Sequence, residues 1–446
     1  MENARKICYD ALLKTLEDNS YSNIVMASLM KKHYEEPRNR AFVCALYYGV
    51  IEREITLDYI ISRFSKTKLN KIEKKVLVLL RMGVYQIIYM DKIPDSAAVN
   101  ETVGLCKKAG VYSARGFVNG VLRNVSRAKD KIEYPSEGTD EFLSVYYSCD
   151  IGKVKLIREA YGYEICESYL KSSFGAPPLT VRTNTLKCDS NELIMLLGKE
   201  NIISEPFLGV ENAVNITSGA DILFSSWAYK GGLFHVEDAA SQLCCMALGA
   251  NERETVIDVC AAPGGKTATI AENMNNKGKI IACDIHNHKL NLIKETARRL
   301  GINIIKTTLR DAASDDSLQG IKADKVLCDV PCSGLGIFRR KPELKTKPLE
   351  DLSPLCKLQY DILCKSAELV KKGGTLIYST CTLNPKENIE NTERFLREHP
   401  VFRPQKLNLP KDIKRIIQNE PEYAVTLFPM SNNTDGFFIS SFVKEE

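Results

Sequence analysis

The stretch Asp258-Val-Cys-Ala-Ala-Pro-Gly-Gly-Lys-Thr267 ends like a phosphate-binding loop, and its reading decides the fold of the second half of the chain. A Walker A loop needs a glycine where Cys260 stands, so a triphosphate cradle is excluded. No GxGxxG is present either. What remains is an apolar strand, Thr255 to Val259, a tight turn, and a helix opening at Lys266. Pro263 presets the turn, while Gly264 and Gly265 allow a ligand close to the backbone. Free amides at a helix start receive a carboxylate as readily as a phosphate. Alone, the pattern fits an ordinary strand-to-helix turn equally well. The next segment, Gly278 to Cys283, is an apolar strand ending at Asp284, twenty residues after Gly264. In doubly wound folds an acid at about that offset takes the ribose hydroxyls of an adenosine. The unit therefore reads as a site for an adenosine-containing cofactor, with S-adenosylmethionine and NAD both open.

The chain has 446 residues, enough for two or three domains, with 44% hydrophobic and 26% charged residues. No apolar run reaches the ~18 residues of a membrane span, and the charged start MENARKICYDALLK lacks a signal-peptide core. Fifteen cysteines, an odd number without framework spacing, point to a reducing cytoplasm. Without a CxxC pair no structural metal site is expected. The adjacent Cys244-Cys245 reads as helix packing. Residues 1–134 hold 23 Lys and Arg against 15 Asp and Glu, a net of +8, and the remainder carries −3. A basic front suggests a polyanionic partner, or simply a well-solvated helical surface.

Three segments follow. Residues 1–134 read as all helical, with breaks at Pro37, Pro94 and Gly110 and a linker from Lys129 to Asp140. Residues 141–235 mix helices with strands near 179–183, 213–217 and 233–236, as in a small α+β RNA platform or a plain spacer. Residues 236–446 alternate strand and helix, the rhythm of a doubly wound, mostly parallel α/β sheet. Ligands of such sheets bind at the carboxyl ends of the strands, which here carry Cys260–Lys266, Asp284, Asp311, Asp329–Ser333 and Ser379–Thr382.

Two of those strand ends hold a cysteine in a polar turn, Asp329-Val-Pro-Cys332-Ser-Gly and Tyr378-Ser-Thr-Cys381-Thr. A single cysteine is usually inert packing; two above one adenosine site call for chemistry. A dehydrogenase would want an acid–base histidine, and only His286 is near a strand end. An exocyclic-amine methylase would want Asn/Asp-Pro-Pro-aromatic where Pro-Cys stands. Methylation at carbon 5 of a pyrimidine does want a thiolate. Its addition to carbon 6 makes carbon 5 nucleophilic toward a sulfonium methyl. The target base must leave its stack to reach such a pocket.

Together, Asp258-Val-Cys-Ala-Ala-Pro-Gly-Gly-Lys-Thr, Asp329-Val-Pro-Cys-Ser-Gly and Ser379-Thr-Cys-Thr resemble the RNA cytosine-5 methyltransferases of the NOL/NOP/Sun type. The front resembles the antitermination factor NusB. The middle, with Val181-Arg-Thr-Asn and Val236-Glu-Asp-Ala-Ala-Ser-Gln-Leu, resembles the family's RNA-binding module. The resemblance covers essentially the whole chain. It implies a multidomain protein: an all-α NusB-like domain, an α+β module and a Rossmann-like methyltransferase domain. It implies S-adenosyl-L-methionine as cofactor, and 16S rRNA or a small-subunit assembly intermediate as partner, for a monomer without metal. Residue by residue, Cys381 matches the nucleophile and Cys332 the cysteine that releases product. The backbone of Cys260, Ala261, Ala262, Pro263, Gly264, Gly265 and Lys266 matches the methionine and adenosine loop. Asp284 matches the ribose acid, Asp311 the acid near adenine, and Asp329 an acid at the methionine end and target base. Val330 replaces a common Ala. The run Arg339-Arg-Lys-Pro-Glu-Leu-Lys-Thr346 follows a family pattern that ends in Trp. Two other readings stand beside this one: an RNA-binding scaffold with a degenerate methyltransferase fold, which would need neither thiol, and a tRNA-specific enzyme of the same chemistry.

Overall fold

The computed structural model describes residues 4–17, 21–33 and 37–445. The chain forms two units, Met1–Ala176 with Phe338–Glu350, and Pro177–Ile337 with Asp351–Glu446.

The first unit is helical. Its helices include Ala4–Glu17, Pro37–Glu52, Glu54–Phe64, Lys74–Tyr89, Asp95–Lys108 and Arg115–Ala128. Pro37 and Pro94 mark breaks between helices, as expected, and each stands at the start of the next one, where a missing amide costs nothing. Arg115–Ala128 buries Val118, Val121, Leu122 and Val125, spaced as one helix face. Arg81, buried in the unit, donates to both Asp58 oxygens at 2.7 and 2.6 Å and pairs with Glu54 at 2.8 Å.

Three further helices, Asp140–Tyr146, Ile151–Tyr161 and Tyr163–Ser172, group with this unit rather than with the strands that follow them. Thr139 and Asp150 cap the first two. Backbone-to-side-chain bonds explain the grouping. Ser148 Oγ accepts from the Ile55 amide at 2.9 Å, and Thr56 Oγ1 donates to the Val145 carbonyl at 2.6 Å.

The run 339–346 also belongs to this unit. Glu343 and Lys345 are buried, and Ser22 Oγ donates to Glu343 at 2.7 Å. Lys345 lies 3.7 Å from the centre of the Phe174 ring. Burial pulls its ammonium down to about 7, against the opposing fields of Cys149 and Glu52. Thr346 Oγ1 donates to Glu54 at 2.9 Å.

The second unit carries two sheets. Strands β1 (Leu179–Thr183), β2 (Ile203–Pro206), β3 (Ala213–Ser218) and β4 (Phe234–Val236) make an antiparallel sheet of order β2-β3-β1-β4. The polar residues of the Val181-Arg-Thr-Asn motif are used internally. Buried Arg182 pairs with Glu272 at 3.2 Å, and buried Asn184 donates to the carbonyls of Gly232 and Leu300.

The larger sheet contains β5 (Thr255–Asp258), β6 (Lys279–Asp284), β7 (Ile305–Leu309), β8 (Ala323–Asp329), β9 (Val370–Thr380), β10 (Phe402–Pro404), β11 (Ala424–Leu427) and β12 (Phe437–Lys444). Its order is β10-β12-β9-β8-β5-β6-β7, with β11 beside β12. Strands β5 to β9 are mutually parallel, and β12 runs antiparallel to β9. The chain passes from β5 outward to β7, then returns to β8 on the other side of β5. That reversal opens a crevice at the carboxyl ends of β5, β6 and β8.

Candidate active site

Every strand-end residue singled out in the sequence lies at this end of the larger sheet. After β5 the chain turns through Val259–Gly264 into the Gly265–Asn273 helix. Gly264 has φ +106°, and a Cβ there would stand 3.2 Å from Ile293 Cα, so the turn requires glycine twice over.

Two cavities meet at this loop. One, of about 420 Å³, is lined by Cys260, Ala262, Asp284, Ile285, His286, Asp311, Asp329, Pro331 and Leu358, among others. The other, of about 210 Å³, is lined by Glu237, Asp238, Asp258, Gly265 and Lys266, among others. Cys260, Ala262 and Asp329 border both. The first has apolar walls with an acid at each side. The second is small and polar.

Asp284 is buried and accepts the His286 amide at 2.8 Å; among the described residues nothing engages its other oxygen. Asp311 lines the same cavity, but both its oxygens already accept from its own turn, Ala313 N–H at 3.0 Å and Ser314 Oγ at 2.8 Å.

Asp329 is held from two sides. Lys266 Nζ pairs with it at 2.8 Å, and Ser379 Oγ donates to it at 2.8 Å from the neighbouring strand. Burial works against the Lys266 charge, but Asp329 outweighs it and lifts the ammonium above the usual lysine value. Beneath them Asp258 accepts from Thr267 Oγ1 at 2.7 Å, while its Oδ1 has no partner. Burial raises this carboxyl to about 7 despite the Thr267 bond.

Cys332 follows β8 and Cys381 follows β9, and their sulfurs stand 3.0 Å apart. Both are free thiols. The bond to Cys381, and then burial, push the Cys332 thiol well above the ordinary range.

Two groups escaped the sequence reading. Glu387, fully buried, accepts from Ser333 N–H at 2.9 Å, Gln359 Nε2 at 2.8 Å and Asn384 Nδ2 at 3.0 Å, and also from Ser333 Oγ. Its only signal was position, six residues after Cys381 in a polar Asn-Pro turn. Glu237 is a second such case. Fully enclosed, it accepts from Thr269 Oγ1, and its Oε1 is left without a partner beside the smaller cavity.

Among the described residues, no helix is long and apolar enough to cross a membrane, and no group of His, Cys, Asp and Glu could hold a metal ion.

Residues 245–443 match the family model "16S rRNA methyltransferase RsmB/F", and residues 2–127 match the NusB family. The chain is 38% identical to a "probable ribosomal RNA small subunit methyltransferase B" of Bacillus subtilis, covering 99% of this chain and 98% of the relative. A protein of the same description from Synechocystis is 33% identical, with both chains fully covered. Among solved structures, PH0851 superposes with a TM-score of 0.82 at 26% identity, covering 99% of this chain and 98% of that one. A methyltransferase homologue from Pyrococcus horikoshii gives 0.61 at 26% identity, covering 69% of this chain and all of its own.

Proposed function

The chain belongs to the 16S rRNA methyltransferase family described as RsmB/F, and from that premise we propose that it methylates carbon 5 of a cytosine in 16S rRNA, with S-adenosylmethionine as methyl donor and Cys381 as nucleophile. The observation that carries the reading is the sulfur contact of 3.0 Å between Cys332 and Cys381 at adjacent strand ends, next to the cavity bordered by Asp329 and Pro331.

The residues fit the cofactor. The unpartnered buried Oε1 of Glu237 and Oδ1 of Asp258 suit the cationic amino group of its methionine. The glycine turn and the helix start behind it suit the carboxylate. Asp284, with one uncommitted oxygen, suits the ribose hydroxyls, and the apolar walls of the larger cavity suit the adenine. When bound, S-adenosylmethionine supplies an electrophilic sulfonium methyl.

The remaining work falls to the chain. Cys381, as thiolate, adds to carbon 6 of a flipped-out cytosine, which puts nucleophilic density on carbon 5. Asp329, fixed by Lys266 and Ser379, faces the cavity where the base enters and orients it. Once carbon 5 is methylated, a base carried by solvent takes its proton, the C5–H electron pair restores the C5–C6 double bond, and the Cys381–C6 pair leaves with the sulfur as thiolate. Cys332, in contact with the Cys381 sulfur, is assigned to that second half, where its thiol hydrogen bond stabilises the departing thiolate. The basic helical front is assigned to the rRNA backbone.

Incubation of purified protein with labelled S-adenosylmethionine and 16S rRNA, followed by mapping of 5-methylcytosine, tests the reading. Label on carbon 5 of one cytosine is expected. Label on an exocyclic nitrogen or a ribose would refute it.

A further inference from the structure

Glu387 is the one fully buried carboxylate at the cysteine end of the sheet that the mechanism above leaves without a task. Both of its oxygens hold Ser333, and each takes a further donor. Oε2 takes the Ser333 amide and Gln359 Nε2, and Oε1 takes Ser333 Oγ and Asn384 Nδ2. Ser333 adjoins Cys332, and Asn384 lies in the turn after Cys381. Ser333 Oγ also meets Thr382 Oγ1 at 2.7 Å, so the residues next to the two cysteines are joined directly as well. Gln359 in turn donates to the carbonyl of Pro331, just before Cys332. The Cys381 carbonyl takes the Gly336 amide at 3.0 Å. The bonds to Ser333, Thr382, Pro331 and the Cys381 carbonyl fix residues at or next to a cysteine, and those to Gln359 and Asn384 brace Glu387 between them.

We propose that Glu387 is a positioning residue for the two-cysteine chemistry: it clamps the loops after β8 and β9 so that the Cys332 and Cys381 sulfurs stay in contact. This rests on the covalent reading given above. Buried charge explains the choice of residue. A neutral amide cannot replace it, because the Ser333 amide fixes an acceptor on one side while Asn384 Nδ2 demands one on the other. Asn384 cannot turn over, since its oxygen accepts from the Lys386 amide at 3.2 Å. A glutamine would therefore set its own NH₂ against a donor and open the clamp. The negative charge also adds to the rise of the Cys332 thiol.

The test uses two readouts on Glu387→Gln and on the milder Ser333→Ala. The first is the rate at which the thiol oxidant diamide closes a Cys332–Cys381 disulfide, followed by peptide mapping; it needs neither RNA nor cofactor. The second is single-turnover methyl transfer. Glu387→Gln should slow both, methyl transfer by about a hundredfold, as a misplacement of roughly 1 Å would. Ser333→Ala should fall between it and the unaltered protein, and S-adenosylmethionine affinity should hold in both. Unaltered disulfide closure in Glu387→Gln overturns the proposal. So does a loss of cofactor affinity in step with activity, which would make Glu387 a plain fold determinant. If Cys381→Ala still methylates, the covalent reading fails, while the disulfide rate still judges the clamp.

Discussion

The Cys332 and Cys381 sulfurs touch at 3.0 Å although 49 residues separate them in sequence. The contact with Cys381 and burial drive Cys332 toward the thiol form, and the proposed mechanism gives the two sulfurs different steps. Cys381→Ala should therefore abolish methyl transfer and form no covalent RNA adduct. Cys332→Ala should still attack and methylate, then accumulate a protein–RNA complex that survives denaturing electrophoresis. Blocking an elimination traps what precedes it, whereas blocking the addition traps nothing. The reverse pattern would exchange the two roles.

Asp284 should carry the ribose. Its replacement by Ala removes a buried acceptor for charge-assisted hydrogen bonds, worth about 1.5–3 kcal/mol. Calorimetry with S-adenosylmethionine should show a loss of that size; unchanged affinity would remove Asp284 from the site.

Arg123 and Arg127 are exposed on the Arg115–Ala128 helix, on the side away from its buried valines. If this face grips rRNA, Arg123→Glu with Arg127→Glu should weaken RNA binding and flatten its dependence on salt, by about one unit of slope per lost phosphate contact. A filter-binding series over salt concentration measures both. Deleting residues 1–134 is a poorer test, since it would strand Glu343 and the helices from Asp140 to Ser172, which belong to the same unit.

Asp258 makes the ligand-free protein sensitive to pH. A carboxyl in the unfolded chain loses its proton near pH 4 (about 3.9), whereas burial keeps Asp258 protonated up to about 7. Between those values the folded state binds the extra proton, so stability falls as pH rises and the loss is complete above 7. Glu272 and Glu420, which burial also raises to about 7, add to the same slope, so melting measured from pH 4 to 7 should show a fall that Asp258→Asn reduces without abolishing. Parallel curves would mean that Asp258 is not the group responsible.

Glu343→Ala should destabilise the helical unit by about 1–3 kcal/mol, because the buried Ser22 hydroxyl loses its acceptor. Chemical denaturation followed by tryptophan-independent circular dichroism reads this, and an unchanged midpoint would discount the contact.

The alternation of strand and helix from Thr255 to Thr380 was legible because each strand there is a short apolar run bounded by turn residues, a signal local in sequence. The same holds for the site residues at strand ends, since a parallel sheet presents those ends on one side whatever its strand order. Cys260 to Lys266, Asp284, Asp311, Asp329, Cys332 and Cys381 could thus be named from one dimension. What the sequence could not supply is which distant groups share a buried volume. Arg182 and Asn184 belong to a motif that resembles an RNA-binding module, and nothing in their sequence neighbourhood announces that Glu272 and the Leu300 carbonyl take them inside the fold. The run 339–346 is basic in sequence, yet Lys345 and Glu343 are buried within the helical unit, where Ser22 and Phe174 receive them. Glu387 carries no motif at all, and its importance lies in four donors that converge on it from three segments. Period and turn chemistry are properties of neighbouring residues, so the sequence by itself determined the elements and which residues stand at the strand ends. Burial and hydrogen-bond partnership are properties of the closed fold, so only the tertiary structure decided which polar residues face a ligand and which hold the protein together.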